Sequence, residues 1–215
     1  MVICERIVTT SHGDLAVLDS DGTGHAVLFI HGNSFSKDVF RALFSSDLVM
    51  NYRLIAIDLP GHGHSSNAAD PDRVYTLPGY AESLRQALEA LSVTRVVIVG
   101  WSLGGHIAIE ALARWLNVAG VMIIGAPPAS PTMEALGAAF HAGEVLNLAN
   151  CEVWSETGID TYIKALCGTD QALTKILRTA IQRADGRSRA LLLPSYLAGQ
   201  GADQRLVVSA SYQRA

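Results

Sequence analysis

Ser102 stands in the run Gly100-Trp101-Ser102-Leu103-Gly104-Gly105, which reads G-x-S-x-G. The strand formers Arg95-Val96-Val97-Ile98-Val99 precede it, and an apolar helical pattern begins at Leu103. This context predicts a serine on a sharp strand-to-helix turn, with glycine where no side chain fits. Such a turn lifts the hydroxyl above the sheet and aims the first helical N–H groups at a reacting oxygen. The chemistry that fits is attack on an acyl carbon. A serine hydroxyl needs a base beside it to be a good nucleophile. The charge developing on the carbonyl oxygen needs preorganised N–H donors, which typically lower a barrier by a few kcal/mol. The plainer reading is a tight turn with an incidental serine.

Two further segments carry chemistry-bearing residues at a strand end. Ala26-Val27-Leu28-Phe29-Ile30 runs into His31-Gly32-Asn33-Ser34, and Leu54-Ile55-Ala56-Ile57 runs into Asp58-Leu59-Pro60-Gly61-His62-Gly63-His64-Ser65. Together with the serine turn, these segments resemble the α/β-hydrolase superfamily, in its soluble esterase, haloperoxidase and dehalogenase branch. The resemblance is specific over about residues 1–128 and looser beyond. It implies that the N–H groups of Asn33 and Leu103 form the oxyanion hole and that Ser102 is the nucleophile. Relatives that displace at saturated carbon use aspartate at the turn, so a serine implies acyl transfer. No cofactor or metal is implied.

The resemblance also implies a chain order of serine, then acid, then histidine, with the acid after a seventh strand and the histidine after an eighth. No histidine follows His141, and no later strand is followed by G-x-x-D. The expectation is therefore a C-terminally truncated hydrolase lacking two strands and two triad members, with strongly reduced activity. Other histidines offer alternatives. His31 belongs to the oxyanion loop, and His106 lies one helical turn after Ser102, leaning back toward it. Each reads first as a packed residue. Asp58, at a strand's carboxyl end, reads first as a turn-capping carboxylate.

The elements that must position these residues follow from periodicity. Segments 2–9 and 14–19 read as a hairpin, and 26–31, 52–57, 95–99 and 118–124 as strands. Helices are predicted at 36–47, 78–92 and after Ser102. Strands that alternate with helices and are apolar throughout imply a mostly parallel sheet covered on both faces. Residues 129–215 show helical patches at 131–140, 159–166, 170–183, 187–198 and 202–211, without a good strand. The expected organisation is thus a core over 1–128 and a helical cap over 129–215, ending before a seventh strand. Trp101, Phe35, Trp154 and Tyr162 are candidate substrate-pocket residues, with Phe140 and Tyr196 beside them. Each reads first as helix-packing core.

Composition narrows the function classes. The chain has 215 residues, enough for one well-buried core, and a formal charge of −4 that gives no basic footprint for nucleic acid. Cys4, Cys151 and Cys167 are scattered without metal spacing, which suggests reduced thiols and a cytoplasmic setting, with Cys151 and Cys167 as buried small apolar groups. No signal peptide or membrane-spanning run is visible. The expected partner is a small acyl compound, such as a carboxylic ester. An acyltransferase using the same residues and a non-catalytic acyl-binding remnant remain as alternatives. Strand 118–124, apolar and unguarded by charge, is expected to be an exposed edge open to self-association.

Overall fold

Six strands form one sheet in the order β1-β2-β4-β3-β5-β6. They are β1 Cys4–Thr10, β2 Gly13–Asp19, β3 His25–Ile30, β4 Tyr52–Ile57, β5 Val96–Trp101 and β6 Val118–Ile124. The first two form the antiparallel hairpin, and β2 joins β4 antiparallel. The pairs β3–β4, β3–β5 and β5–β6 are parallel. The structure, a computed structural model, describes residues 3–115, 117–141, 143–168 and 170–212. Among these, β6 is a sheet edge, with Met122 and Ile124 exposed.

Both faces of the sheet are covered because its strands are apolar on both sides. One face, with Val17, Leu28, Ile30, Ile57 and Ile98, packs under helices α2 (Leu77–Ala90) and α3 (Leu103–Arg114). Helix α2 starts where expected: Thr76 Oγ1 accepts the Gly79 N–H and Pro78 sits in the first turn. A short helix, α1 (Pro71–Val74), precedes it. The other face, with Leu18, Phe29, Leu54 and Ala56, takes Phe44 from the segment after β3. That segment is not the α-helix predicted for 36–47 but two 3-10 stretches, Lys37–Ser45 and Asp47–Met50. Ser46 closes on the Leu43 carbonyl through both its N–H and its hydroxyl, which tightens and ends the first stretch.

After β6 come six helices among the described residues: α4 Met133–Ala139, α5 Glu144–Leu148, α6 Glu156–Cys167, α7 Gln171–Arg183, α8 Arg187–Leu197 and α9 Gln204–Tyr212. No sequence signal marked α5, which is only five residues long. Polar ties hold this segment to the sheet unit. Tyr75 Oη donates to Asp185 Oδ2 at 2.7 Å, Arg183 Nη2 to the Ser65 carbonyl at 2.7 Å, and Tyr196 Oη to the Ala129 carbonyl at 2.6 Å. The buried Glu110 of α3 accepts the Ala202 N–H at 2.8 Å. Cys167 is half-buried, but Cys151 is exposed, against expectation, because it lies in the loop between α5 and α6. No described helix is long and apolar enough to cross a membrane.

The loop after β4 buries His62 completely. Its Nδ1–H faces the Pro60 carbonyl at 3.0 Å, while Nε2 has no partner among the described residues. Burial, with the neighbouring His31, pulls the imidazole pKa down to about 3. The unfolded chain therefore binds a proton here below about pH 6.5, where the folded chain does not. Stability from this group is complete above that value and falls with pH toward 3, by at most about 1.4 kcal/mol per pH unit. Urea unfolding at pH 7 and pH 5 should show His62→Gln losing about 2 kcal/mol less than the parent chain across that interval. Equal losses would contradict this account.

Candidate active site

Ser102 occupies the turn between β5 and α3 with φ 53° and ψ −118°, a region L-residues rarely adopt. Several contacts hold it there. Its N–H donates to the Ile124 carbonyl at 2.8 Å, and its carbonyl accepts from Gly105 at 2.8 Å and His106 at 3.3 Å. The flanking glycines are required by close approach. A Cβ on Gly100 would lie 2.2 Å from the Gly104 carbonyl oxygen, and one on Gly104 would lie 2.1 Å from the Ile30 carbonyl oxygen.

The segment after β3 lies against this turn: a Cβ on Gly32 would meet Ser102 Cβ at 3.3 Å. Asn33 follows, and its N–H makes no hydrogen bond among the described residues. Leu103 is the first residue of α3, so its N–H has no intrahelical partner. Ser102, Asn33 and Leu103 all line one cavity of about 410 Å³, walled mainly by apolar side chains from α4, α5 and α8. Tyr162, Phe140 and Tyr196 also line it. Phe35, Trp101 and Trp154 lie beside Tyr162: Phe35 stacks on Trp101 with centroids 5.0 Å apart, and Trp154 meets Tyr162 at 4.7 Å.

Two buried polar devices fix the Asn33 segment. The first is Asp58, fully buried, whose Oδ1 accepts the Lys37 N–H at 2.6 Å and whose Oδ2 accepts Lys37 Nζ and the His64 N–H, each at 2.8 Å. Desolvation pushes this carboxyl up, but His31, Lys37 and the hydrogen bonds outweigh it and hold its pKa below the usual aspartate value. His31 is tied down as well, with Nε2 accepting the Leu59 N–H at 3.0 Å. The turn-capping reading of Asp58 thus describes its hydrogen bonds. The buried partner Lys37 was not anticipated, because a lysine in an amphipathic pattern reads as exposed.

The second device bridges to the helical segment. Asn33 Nδ2 donates to the Ala149 carbonyl at 3.0 Å. Arg189 of α8, 4% exposed, donates to Ser34 Oγ at 2.9 Å and to the Cys151 and Glu152 carbonyls at 2.7 and 2.6 Å. Its guanidinium also lies 4.6 Å from the Trp154 ring centroid. No carboxylate pairs with it, and burial lowers its pKa. Sequence reading missed these ties because the partners are more than 100 residues apart or are backbone carbonyls. Among the described residues, no histidine hydrogen-bonds Ser102 Oγ. His106 instead pairs through Nδ1 with Gln204 Oε1 at 2.8 Å. No group of metal-binding side chains occurs among the described residues.

A family model described as alpha/beta hydrolase fold matches residues 25–175. Among solved structures, a mutant of the N-acyl homoserine lactonase AidH complexed with N-hexanoyl homoserine lactone is 38% identical with a TM-score of 0.88, covering 96% of this chain and 74% of that one. The esterase EaEST from Exiguobacterium antarcticum gives a TM-score of 0.75 at 20% identity, covering 94% and 75% of the two chains, a likeness of fold alone. A pimeloyl (acyl-carrier protein) methyl ester esterase of Xanthomonas campestris is 35% identical over 111 residues, 52% of this chain and 40% of that protein. An uncharacterized Mycobacterium tuberculosis protein is 36% identical over 101 residues, 47% of this chain and 28% of that protein. The chain spans less than half the length of these two curated relatives.

Arg189→Met keeps the stem against Trp154 but leaves Ser34 Oγ and two carbonyls without a donor. An unsatisfied buried group costs about 1–3 kcal/mol, in full only at Ser34 Oγ because the Cys151 and Glu152 bonds are part-buried, and the loss is partly offset by no longer burying a charge. The expected net loss is about 1–3 kcal/mol in denaturant unfolding. Arg189→Lys should recover little, since one ammonium cannot match the guanidinium fork. Unchanged stability in both variants would remove Arg189 as the strut of this loop.

Proposed function

Since the chain belongs to the α/β-hydrolase fold family, we propose that it forms the acyl site of a serine hydrolase acting on a small carboxylic ester or lactone. Ser102 is the nucleophile, and the Asn33 and Leu103 N–H groups hold the oxyanion. In the reaction, Ser102 Oγ bonds to the carbonyl carbon and its proton passes to a base. The alcohol then leaves with a proton, and water releases the acid from the acyl-serine. The observation that carries this reading is that three residues line one largely apolar cavity: a strained serine and two residues whose N–H groups make no hydrogen bond among the described residues. The Xanthomonas protein is a methyl ester esterase and AidH an N-acyl homoserine lactonase, and we extend ester and lactone chemistry to this chain. Residues 1–128 serve as core and 129–215 as cap, with Tyr162 in the acyl pocket and Phe35, Trp101 and Trp154 supporting it. The setting we propose is cytoplasmic.

Among the described residues no histidine hydrogen-bonds Ser102 Oγ, and His106 bonds Gln204 instead, which favours a second reading, acyl binding with little turnover. Added imidazole separates the two. With p-nitrophenyl butyrate, the chain alone should stay far below a typical turnover of about 1–10³ s⁻¹. Imidazole should add a saturable increment that is lost in Ser102→Ala. Equal imidazole-dependent rates in the parent and Ser102→Ala would contradict the assignment of Ser102. Typical turnover without imidazole, lost in Ser102→Ala, would mean that a residue of this chain already serves as base.

We also propose that β6 supports self-association, since an apolar edge without a guarding charge recruits other strands. Light scattering after size-exclusion chromatography should show dimers or larger species, shifted toward monomer by Val121→Lys. A parent chain that is already monomeric at high micromolar concentration would contradict it.

A further inference from the structure

The polar groups of the cavity fall in two sets. One is the Ser102 and Asn33 end, with Asn147 and Asn150 near it. The other is His106 of α3 with Gln204 of α9. Gln204 is 1% exposed, so its amide is held by its surroundings. Its Oε1 lies 2.8 Å from His106 Nδ1. An amide oxygen only accepts, so the imidazole carries its proton on Nδ1 and presents Nε2 as an acceptor. Burial lowers the His106 pKa, outweighing the bond to Gln204, which favours the uncharged ring. The ring also packs against Phe140, with centroids 5.8 Å apart, and that residue is part of the cavity wall. Nε2 has no hydrogen-bond partner among the described residues.

An acceptor in a largely apolar wall discriminates. A saturated acyl chain that fills the cavity excludes water and leaves Nε2 unpaired. A chain with a hydroxyl in reach pairs it, and a carbonyl at the same place meets it lone pair to lone pair. A site built to hydrogen-bond one group rejects the analogue that lacks it. Position follows from the helix. His106 starts about 6 Å beyond Ser102 along the axis, and its side chain leans back toward the N-terminus. A donor a few bonds from the reacting carbonyl, separated from Nε2 by a hydrogen bond of about 2.8 Å, fits that span. We propose that His106, held in one tautomer by Gln204, is a specificity-determining residue that reads a hydroxyl on the substrate's acyl chain near the reacting carbonyl. The proposal rests on the reading of this cavity as an acyl site.

Calorimetric titration of the Ser102→Ala chain, which prevents turnover, tests it with three probes: ethyl hexanoate, ethyl 3-hydroxyhexanoate and ethyl 3-oxohexanoate. The hydroxy ester should bind about tenfold tighter than either of the others. His106→Phe should abolish that preference, bringing the hydroxy ester to the affinity of ethyl hexanoate in the same variant. Gln204→Leu, which releases the tautomer, should narrow the gap between the hydroxy and oxo esters, and it serves if His106→Phe does not fold. Equal binding of the three esters, tightest binding of the oxo ester, or a preference surviving in His106→Phe overturns the role of His106 and leaves the acyl site standing. No binding by any ester overturns the acyl site and this proposal with it.

Discussion

At Ser102 the backbone turns through φ 53° and ψ −118°, a conformation that costs a side-chain-bearing residue about 1–3 kcal/mol. The surrounding structure must over-determine it. The Ile124 carbonyl at the end of β6 takes the Ser102 N–H, and the first turn of α3 takes its carbonyl. Gly100 and Gly104 let the backbone of β5, α3 and β3 approach closer than any Cβ permits. The turn therefore exists only when three parallel strands and one helix are assembled in register. The same close approach brings the loop after β3 against Ser102, so one constraint creates both the strained hydroxyl and the neighbouring Asn33 N–H.

The loop that carries Asn33 has no regular structure of its own and is held by buried polar groups instead. Lys37 and Asp58 form an ion pair with both side chains out of water, 2% and 0% exposed, and the carboxylate also takes two backbone N–H groups. Such a pair is expensive to bury and gains from every satisfied lone pair. Arg189 does the same from the opposite side, with carbonyls, a hydroxyl and an aromatic face in place of an acid. The helices after β6 are thus mechanically tied to the loop beside Ser102.

The strands, the turn at Ser102 and α3 were legible because their signals are local: apolar runs, glycines at fixed offsets and a helical pattern with a clear start. The helical boundaries after β6 were also close, since α7 and α8 lie within a residue or so of the predicted 170–183 and 187–198. The 3-10 path after β3 was not legible, because Val39, Phe40, Leu43 and Phe44 give the same apolar face whether the turn is α or tighter. Nor were Lys37, Arg189 or the His106–Gln204 pair. Each depends on partners from distant elements, and a lone lysine, arginine or histidine looks like a solvated residue until its surroundings are assembled. The place of Asn33 in the loop after β3 could be read from the strand ending at His31-Gly32, whereas its side-chain bond to Ala149, 116 residues away, left no trace in sequence.

The central claim is that Ser102, Asn33 and Leu103 act as one unit on a tetrahedral oxygen. It is tested most directly by amide NMR of the chain titrated with an alkylboronic acid, which adds to a serine hydroxyl and presents an oxygen where the oxyanion would sit. The account predicts that the Asn33 and Leu103 N–H resonances move together to lower field, saturate with a single Kd, and do not move in Ser102→Ala. Saturable boronate binding that leaves both amides in place, or that persists unchanged in Ser102→Ala, would contradict it.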